Sequence, residues 1–145
     1  MTPITSPTRS LLRTPLRSPL RSPLRWVAAL TMVVAGAVHI PVTPEHLQEA
    51  PYIGYLFIAL TVVCFLLALV ILVADSAAVW AVSGVVTALA LGAYLLSRSV
   101  ALPQIGGDVG NWLEPLGLVA IVFEGLTIAL AVAALRRARP LPARA

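Results

Sequence analysis

Glu124 carries the strongest chemical signal in this chain. It lies within the run Leu116–Leu135, with at least eight apolar or small residues on each side. A charge at that depth in an apolar segment costs several kcal/mol unless it is neutral, paired or facing water. Helical spacing shows where it points. Gly117, Ala120, Glu124, Thr127 and Ala131 fall on one stripe, and small residues let helices approach closely, so Glu124 is predicted to face other helices. Two kinds of chemistry fit. A neutral or hydrogen-bonded glutamate would join helices. Alternatively, the carboxyl would serve as a proton relay, an ion or metal ligand, or a ligand anchor.

His39 is the natural partner. It stands 13 residues, about 20 Å of helix, into its apolar run, and Glu124 stands 11 residues, about 17 Å, from the end of its own. If both runs start in one plane, the two side chains lie at similar depth. A buried His–Glu pair would satisfy both groups and titrate in a useful range. Alternatively, His39 caps a helix or reaches toward the membrane surface. Other polar residues repeat at helical spacing: Ser83, Thr87, Ala90, Tyr94 and Ser97 in one run, and Phe57, Thr61, Cys64 and Ala68 in another. Such stripes commonly serve helix packing. They would also line a narrow polar cavity, with Thr61, Ser83, Thr87, Tyr94 and Thr127 around Glu124.

A second cluster falls between the apolar runs: Glu45, His46, Glu49, Asp108 and Glu114, with Arg98 nearby in topology. Glu and His side chains can ligate a divalent metal, which makes His39, His46 and Glu124 the metal-ligand types to watch. The spacing matches no metal motif; HExxH, CxxC and His-rich runs are all missing. Acidic residues in a first helical turn also complement the helix dipole without any ligand. Arg98 is expected to pair with one of these carboxylates and hold the loops together. Nucleophile-elbow, phosphate-loop and dinucleotide fingerprints are absent too. Pro41 and Pro44 argue against His39 and His46 sharing one haem iron. Cys64 is the single cysteine and has no intrachain disulfide partner.

The elements that must position these residues follow from composition. The chain has 145 residues, 59% hydrophobic and 11% charged, against roughly 25% charged in ordinary soluble domains. All ten basic residues are arginine, and nine flank the apolar stretch: Arg9, Arg13, Arg17, Arg21 and Arg25 before it, and Arg136, Arg137, Arg139 and Arg144 after it. The net charge of +4 therefore reads as membrane topology, with no basic stripe for nucleic acid. Four spans are expected, at about 26–42, 53–74, 77–96 and 116–135. The last three are long enough to cross a bilayer. The first, Trp26–Ile40 before Pro41, reaches only about 22 Å, so it borrows Val42 or thins the bilayer. A secretory signal ending at Ala35-Gly36-Ala37 is the alternative. Asp75-Ser76 makes a tight antiparallel hairpin of spans two and three.

Arginines at both ends place both termini in the cytoplasm, with the loops at 41–52 and 97–115 outside and Arg98 on the outer side. Thr43-Pro44-Glu45-His46 predicts a short interfacial helix over about 44–50, capped by Thr43 and stopped by Pro51. Asn111, or else Glu114-Pro115, starts span four. Residues 1–25 carry the repeat RTPL, RSPL, RSPL, whose prolines forbid a stable helix, and are expected to form a disordered basic tail against anionic headgroups. Thr14, Ser18 and Ser22 would make it a docking or phosphorylation segment, and a downstream translation start is also open. Residues 137–145 are expected to form a cytoplasmic tail.

Two stretches, GAVHIPVTPEHLQEAPYIGYLFIAL and SRSVALPQIGGDVGNWLEPLGLVAIVFEGLTIALA, resemble a group of small uncharacterised four-span membrane proteins from high-GC actinobacteria. The matching elements are His39, Pro44-Glu45-His46, Gly54, Ser97-Arg98, Leu102-Pro103 and Glu124, across residues 26–136. Ala101 replaces the glycine usual before Leu-Pro. The resemblance implies architecture and a bacterial plasma membrane, and no activity.

The expected fold is all-α: a transmembrane four-helix bundle with short loops. The expected function is to bind or move a proton, metal ion or small solute through the Glu124–His39 pair. Alternatives are an accessory subunit of a membrane complex and a membrane enzyme acting on a lipid or quinone. Expected partners are the lipid bilayer and a second copy or a membrane-complex subunit.

Overall fold

The computed structural model describes residues 22–138. The repeat tail up to residue 21 and the segment from residue 139 lie outside the described residues, and so do Thr14 and Ser18. Five helices follow one another: α1 (Arg25–Ala37), α2 (Thr43–Glu49), α3 (Pro51–Ala74), α4 (Ala77–Ser99) and α5 (Pro115–Arg137), with one 3-10 turn at Gly106–Asp108. No strand occurs among the described residues. Three helices, α3, α4 and α5, are long and apolar enough to cross a membrane.

Proline chemistry sets several boundaries. The ring of Pro41 has no N–H for the Ala37 carbonyl and would crowd it, so α1 ends at Ala37. Ile40 N–H takes that carbonyl instead, and His39 N–H takes Gly36, a 3-10 tightening that carries the chain toward α2. Pro51 opens α3 two residues before the expected position 53. Pro115 opens α5, and the Glu114 side chain accepts from Gly117 N–H at 3.0 Å, so Glu114-Pro115 is the start and Asn111 lies before it. Thr43 does not cap α2. Its hydroxyl points backward and donates to the His39 carbonyl at 2.6 Å. Helix α4 continues past Leu96 to Ser99, which puts Arg98 on its last turn, where a cation complements the helix dipole.

Helix α1 packs between α3 and α5, α5 packs on α4, and α2 lies on α3; the α3–α4 contact is the sparsest among the long helices. The short first helix therefore bridges α3 and α5. Close approach is written into two glycines. A Cβ on Gly36 would come within 3.1 Å of the Cys64 side chain, and one on Gly117 would collide with the Tyr94 ring. Ala28, Ala29, Met32, Ala68, Ile71, Trp80, Ala131 and Ala134 form the buried apolar core. Outside it the surface is greasy: Leu69 is 64% exposed, Leu89 69% and Val73 88%. Contiguous apolar surface of this kind is what a lipid-facing or partner-facing exterior requires.

Candidate functional site

The buried face of α5 is Gly117, Ala120, Glu124, Thr127, Ala131 and Ala134. Glu124 is 2% exposed, and its Oε2 has no hydrogen-bond partner. An unmet acceptor of that kind is uncommon, because leaving it unpaired costs its full desolvation. Cys64 of α3, itself buried, lies within electrostatic reach of the carboxyl. One turn away, the Thr127 hydroxyl lies 2.8 Å from the Thr31 hydroxyl of α1, which donates to the Ala28 carbonyl. That hydroxyl pair fixes how α1 and α5 are aligned.

His39 does not meet Glu124 by any hydrogen bond or ion pair among the described residues. Its Nδ1 lies 2.7 Å from the Ala35 carbonyl, so this nitrogen carries the proton and donates, and Nε2 is left free to accept. The titratable neighbours of the ring are Glu114 and His46. The two histidines flank Phe57, each ring centroid 4.9 Å from the phenyl centroid. His46 repeats the local geometry, with Nδ1 2.8 Å from the Val42 carbonyl.

The register explains the separation. From Thr31 to His39 is eight residues, about 12 Å, in one direction; from Thr127 to Glu124 is three residues, about 4.5 Å, in the same direction. His39 therefore lies about 7 Å along the axis beyond Glu124.

Arg98 organises the end of the molecule that holds α2 and the 100–114 loop. Its guanidinium is buried, 2.7 Å from Asp108 and 3.5 Å from Glu114, and it stacks 4.7 Å from the Tyr94 ring centroid. The Asp108 contact is an ion pair without hydrogen-bond alignment, and Nε has no partner. The Arg98 carbonyl also accepts from Gly110 N–H at 3.0 Å. Arg98 thus holds two carboxylates where the sequence suggested one. Glu45 and Glu49 are exposed and take no part. Among the described residues, no group of three or more His, Cys, Asp and Glu side chains is placed to hold a metal ion, so His39, His46 and Glu124 form no metal centre there.

The remaining polar residues are dispersed. Thr61 donates to the Gly36 carbonyl at 3.0 Å, and Thr87 to the Ser83 carbonyl at 2.9 Å. The Ser83 hydroxyl is fully buried without a partner. Tyr94 donates to the Trp112 carbonyl at 3.3 Å. Thr61, Thr87 and Tyr94 spend their hydroxyls on backbone, as helix-packing residues do.

Asp75 is a charged site that the sequence reading passed over as a connector. It is 1% exposed and adopts a left-handed conformation, φ 33°, which Asp tolerates better than most residues. Its carboxylate accepts from Ser22 N–H at 2.6 Å and Trp80 Nε1–H at 2.7 Å, with the Arg25 guanidinium 4.0 Å away. It ties the segment before α1 to the α3–α4 turn. The signal available was a lone acid between two apolar runs with a tryptophan five residues on.

The chain matches no protein-family model, no curated protein and no solved structure.

Proposed function

We propose that this chain is a small integral membrane protein whose Glu124 carboxyl binds a proton or a small hydrogen-bond-donating solute within a transmembrane four-helix bundle of α1, α3, α4 and α5. The observation that carries this reading is the Glu124 Oε2 atom, the one buried carboxyl oxygen among the described residues without a hydrogen-bond partner. An ionised carboxylate held there alone would be costly, so the group is either neutral or completed by a donor. Among the described residues no group of three His, Cys, Asp or Glu side chains includes Glu124, so the reading takes a proton or a hydrogen-bond donor rather than a metal ion. Glu124 and His39 share no hydrogen bond or ion pair among the described residues, so the acid stands as a single central group.

Membrane residence rests on the three long apolar helices and on the exposed leucine and valine side chains around them. Arginines concentrated at both ends of the chain support cytoplasmic termini in a bacterial plasma membrane, with the basic tail against anionic headgroups. The Arg98 end then faces outward.

Proton release and uptake by the full chain in lipid nanodiscs, measured on a pH step with and without Glu124→Gln, tests the site. The reading expects the variant to exchange about one proton fewer per chain, because the amide cannot titrate. Equal proton counts would overturn proton binding. A second reading, an accessory subunit whose polar residues only pack helices, draws on the tight α4–α5 approach at Gly117 and Tyr94. It expects equal proton counts and unchanged assembly in Glu124→Gln.

A further inference from the structure

We infer that the groove between α1 and α3 binds one anionic glycerophospholipid, with an acyl chain in the groove and the phosphate at Arg25. This rests on the reading of the chain as a membrane protein and is independent of the reading of Glu124.

The groove comes from side-chain size. Ala29 of α1 and Ala68 of α3 are buried on its floor, and Val33, Phe65, Leu69 and Leu72 complete its lining. Two alanines among larger neighbours leave a trough of about 320 Å³ lined by apolar side chains alone. Val33 and Leu69 are exposed at its rim, so it opens onto the greasy exterior. Phe65 also packs on Gly36, where α1 and α3 touch, and that contact bounds the groove at one end. From Phe65 to Leu72 is seven residues, about 10 Å along α3, an elongated shape that suits an acyl chain.

The other end carries charge. Arg25, Ala29 and Val33 are spaced four apart on one stripe of α1, and Leu72 stands three residues before Asp75, the C-cap of α3. Helical side chains lean toward the helix N-terminus, so Arg25 extends past the groove to the level of headgroups. Its guanidinium is part-exposed and 4.0 Å from Asp75, too long for a hydrogen bond, and that carboxylate already accepts from Ser22 and Trp80. The ion pair thus leaves the Arg25 N–H groups able to grip a phosphate bidentately. Trp26 is exposed beside it, its ring centroid 5.7 Å from the guanidinium carbon, and tryptophan favours the headgroup level.

Charge also selects the occupant. Arg136 and Arg137 end α5 at this same end of the molecule, where Asp75 is the only acid among the described residues. A second copy seated here in the same membrane orientation would bring arginine against arginine, whereas an anionic lipid brings the opposite charge.

The test offers the full chain in detergent equal amounts of palmitoyl-oleoyl phosphatidylglycerol and the phosphatidylcholine of identical chains, and native mass spectrometry counts what each chain retains. One phosphatidylglycerol per chain should be retained, at least fivefold over phosphatidylcholine. Arg25→Gln should bring the two lipids to within twofold of each other. Ala29→Leu, which fills the floor, should lower retention of both at least fivefold. Leu69→Ala, which removes an exposed rim residue, should lower it at least threefold and serves if the leucine variant fails to fold. Equal retention of the two lipids by wild type would overturn the site. So would a preference that survives Arg25→Gln and both groove variants, which would assign it to the arginine-rich tail, or a second chain retained in place of lipid. Flotation with liposomes reports membrane residence separately. A chain that does not float overturns both readings, whereas a floating chain without the preference loses only the groove site.

Discussion

Asp75 and Glu124 are the same functional group at nearly the same burial, 1% and 2% exposed, in opposite states. Asp75 receives two N–H donors and lies beside a guanidinium. Glu124 Oε2 receives nothing. Burial alone therefore does not say what an acid is for; the number of donors aimed at it does. A carboxylate wrapped in donors is a fastening, and removing it strands those donors. A carboxyl left open inside a packed helix layer is available to something that comes and goes.

Substitutions can break this contrast. Asp75→Ala should have the largest effect, about 3–5 kcal/mol of unfolding free energy, because it strands the Ser22 and Trp80 donors and puts alanine at a left-handed position. Denaturant unfolding in detergent measures it, and a loss under about 1 kcal/mol would refute the fastening role. Arg98→Gln should follow, at about 2–4 kcal/mol, since it leaves Asp108 and Glu114 without their shared cation. Hydrogen exchange should rise first at Gly110, whose N–H is bonded to the Arg98 carbonyl. Thr127→Val removes one buried hydroxyl contact and should cost about 1 kcal/mol. It also loosens the register that sets His39 beyond Glu124. Glu124→Gln should be the smallest, within about 1 kcal/mol of wild type, because no bond is lost.

Much of this was legible in residue spacing. The stripe Gly117, Ala120, Glu124, Thr127 and Ala131 is the buried face of α5, because helical periodicity and small side chains determine it locally. Pairing of Arg98 with loop carboxylates followed from one cation among several acids. The depth of His39 relative to Glu124 was not legible. It needed the offset between two helices distant in sequence, which is set by contacts rather than by their ends. Thr31 is six residues into α1, whereas its partner Thr127 is ten residues before the end of α5. The helix ends therefore do not share a plane, and the estimate of equal depth fails by about one helical turn. Asp75 was missed for a related reason. Its donors come from Ser22, 53 residues away in sequence, and from the Trp80 indole, and no local pattern announces such a convergence.

The most direct measurement compares the conservative amide at both positions, Asp75→Asn and Glu124→Gln, by unfolding in one detergent under one set of conditions. Each swap keeps size and one carbonyl oxygen and removes only the acid. The account predicts that Asp75→Asn loses at least about 2 kcal/mol more than Glu124→Gln, since an amide serves two donors and a guanidinium poorly. Equal losses at the two positions would contradict it, and would make Glu124 another fastening rather than a site.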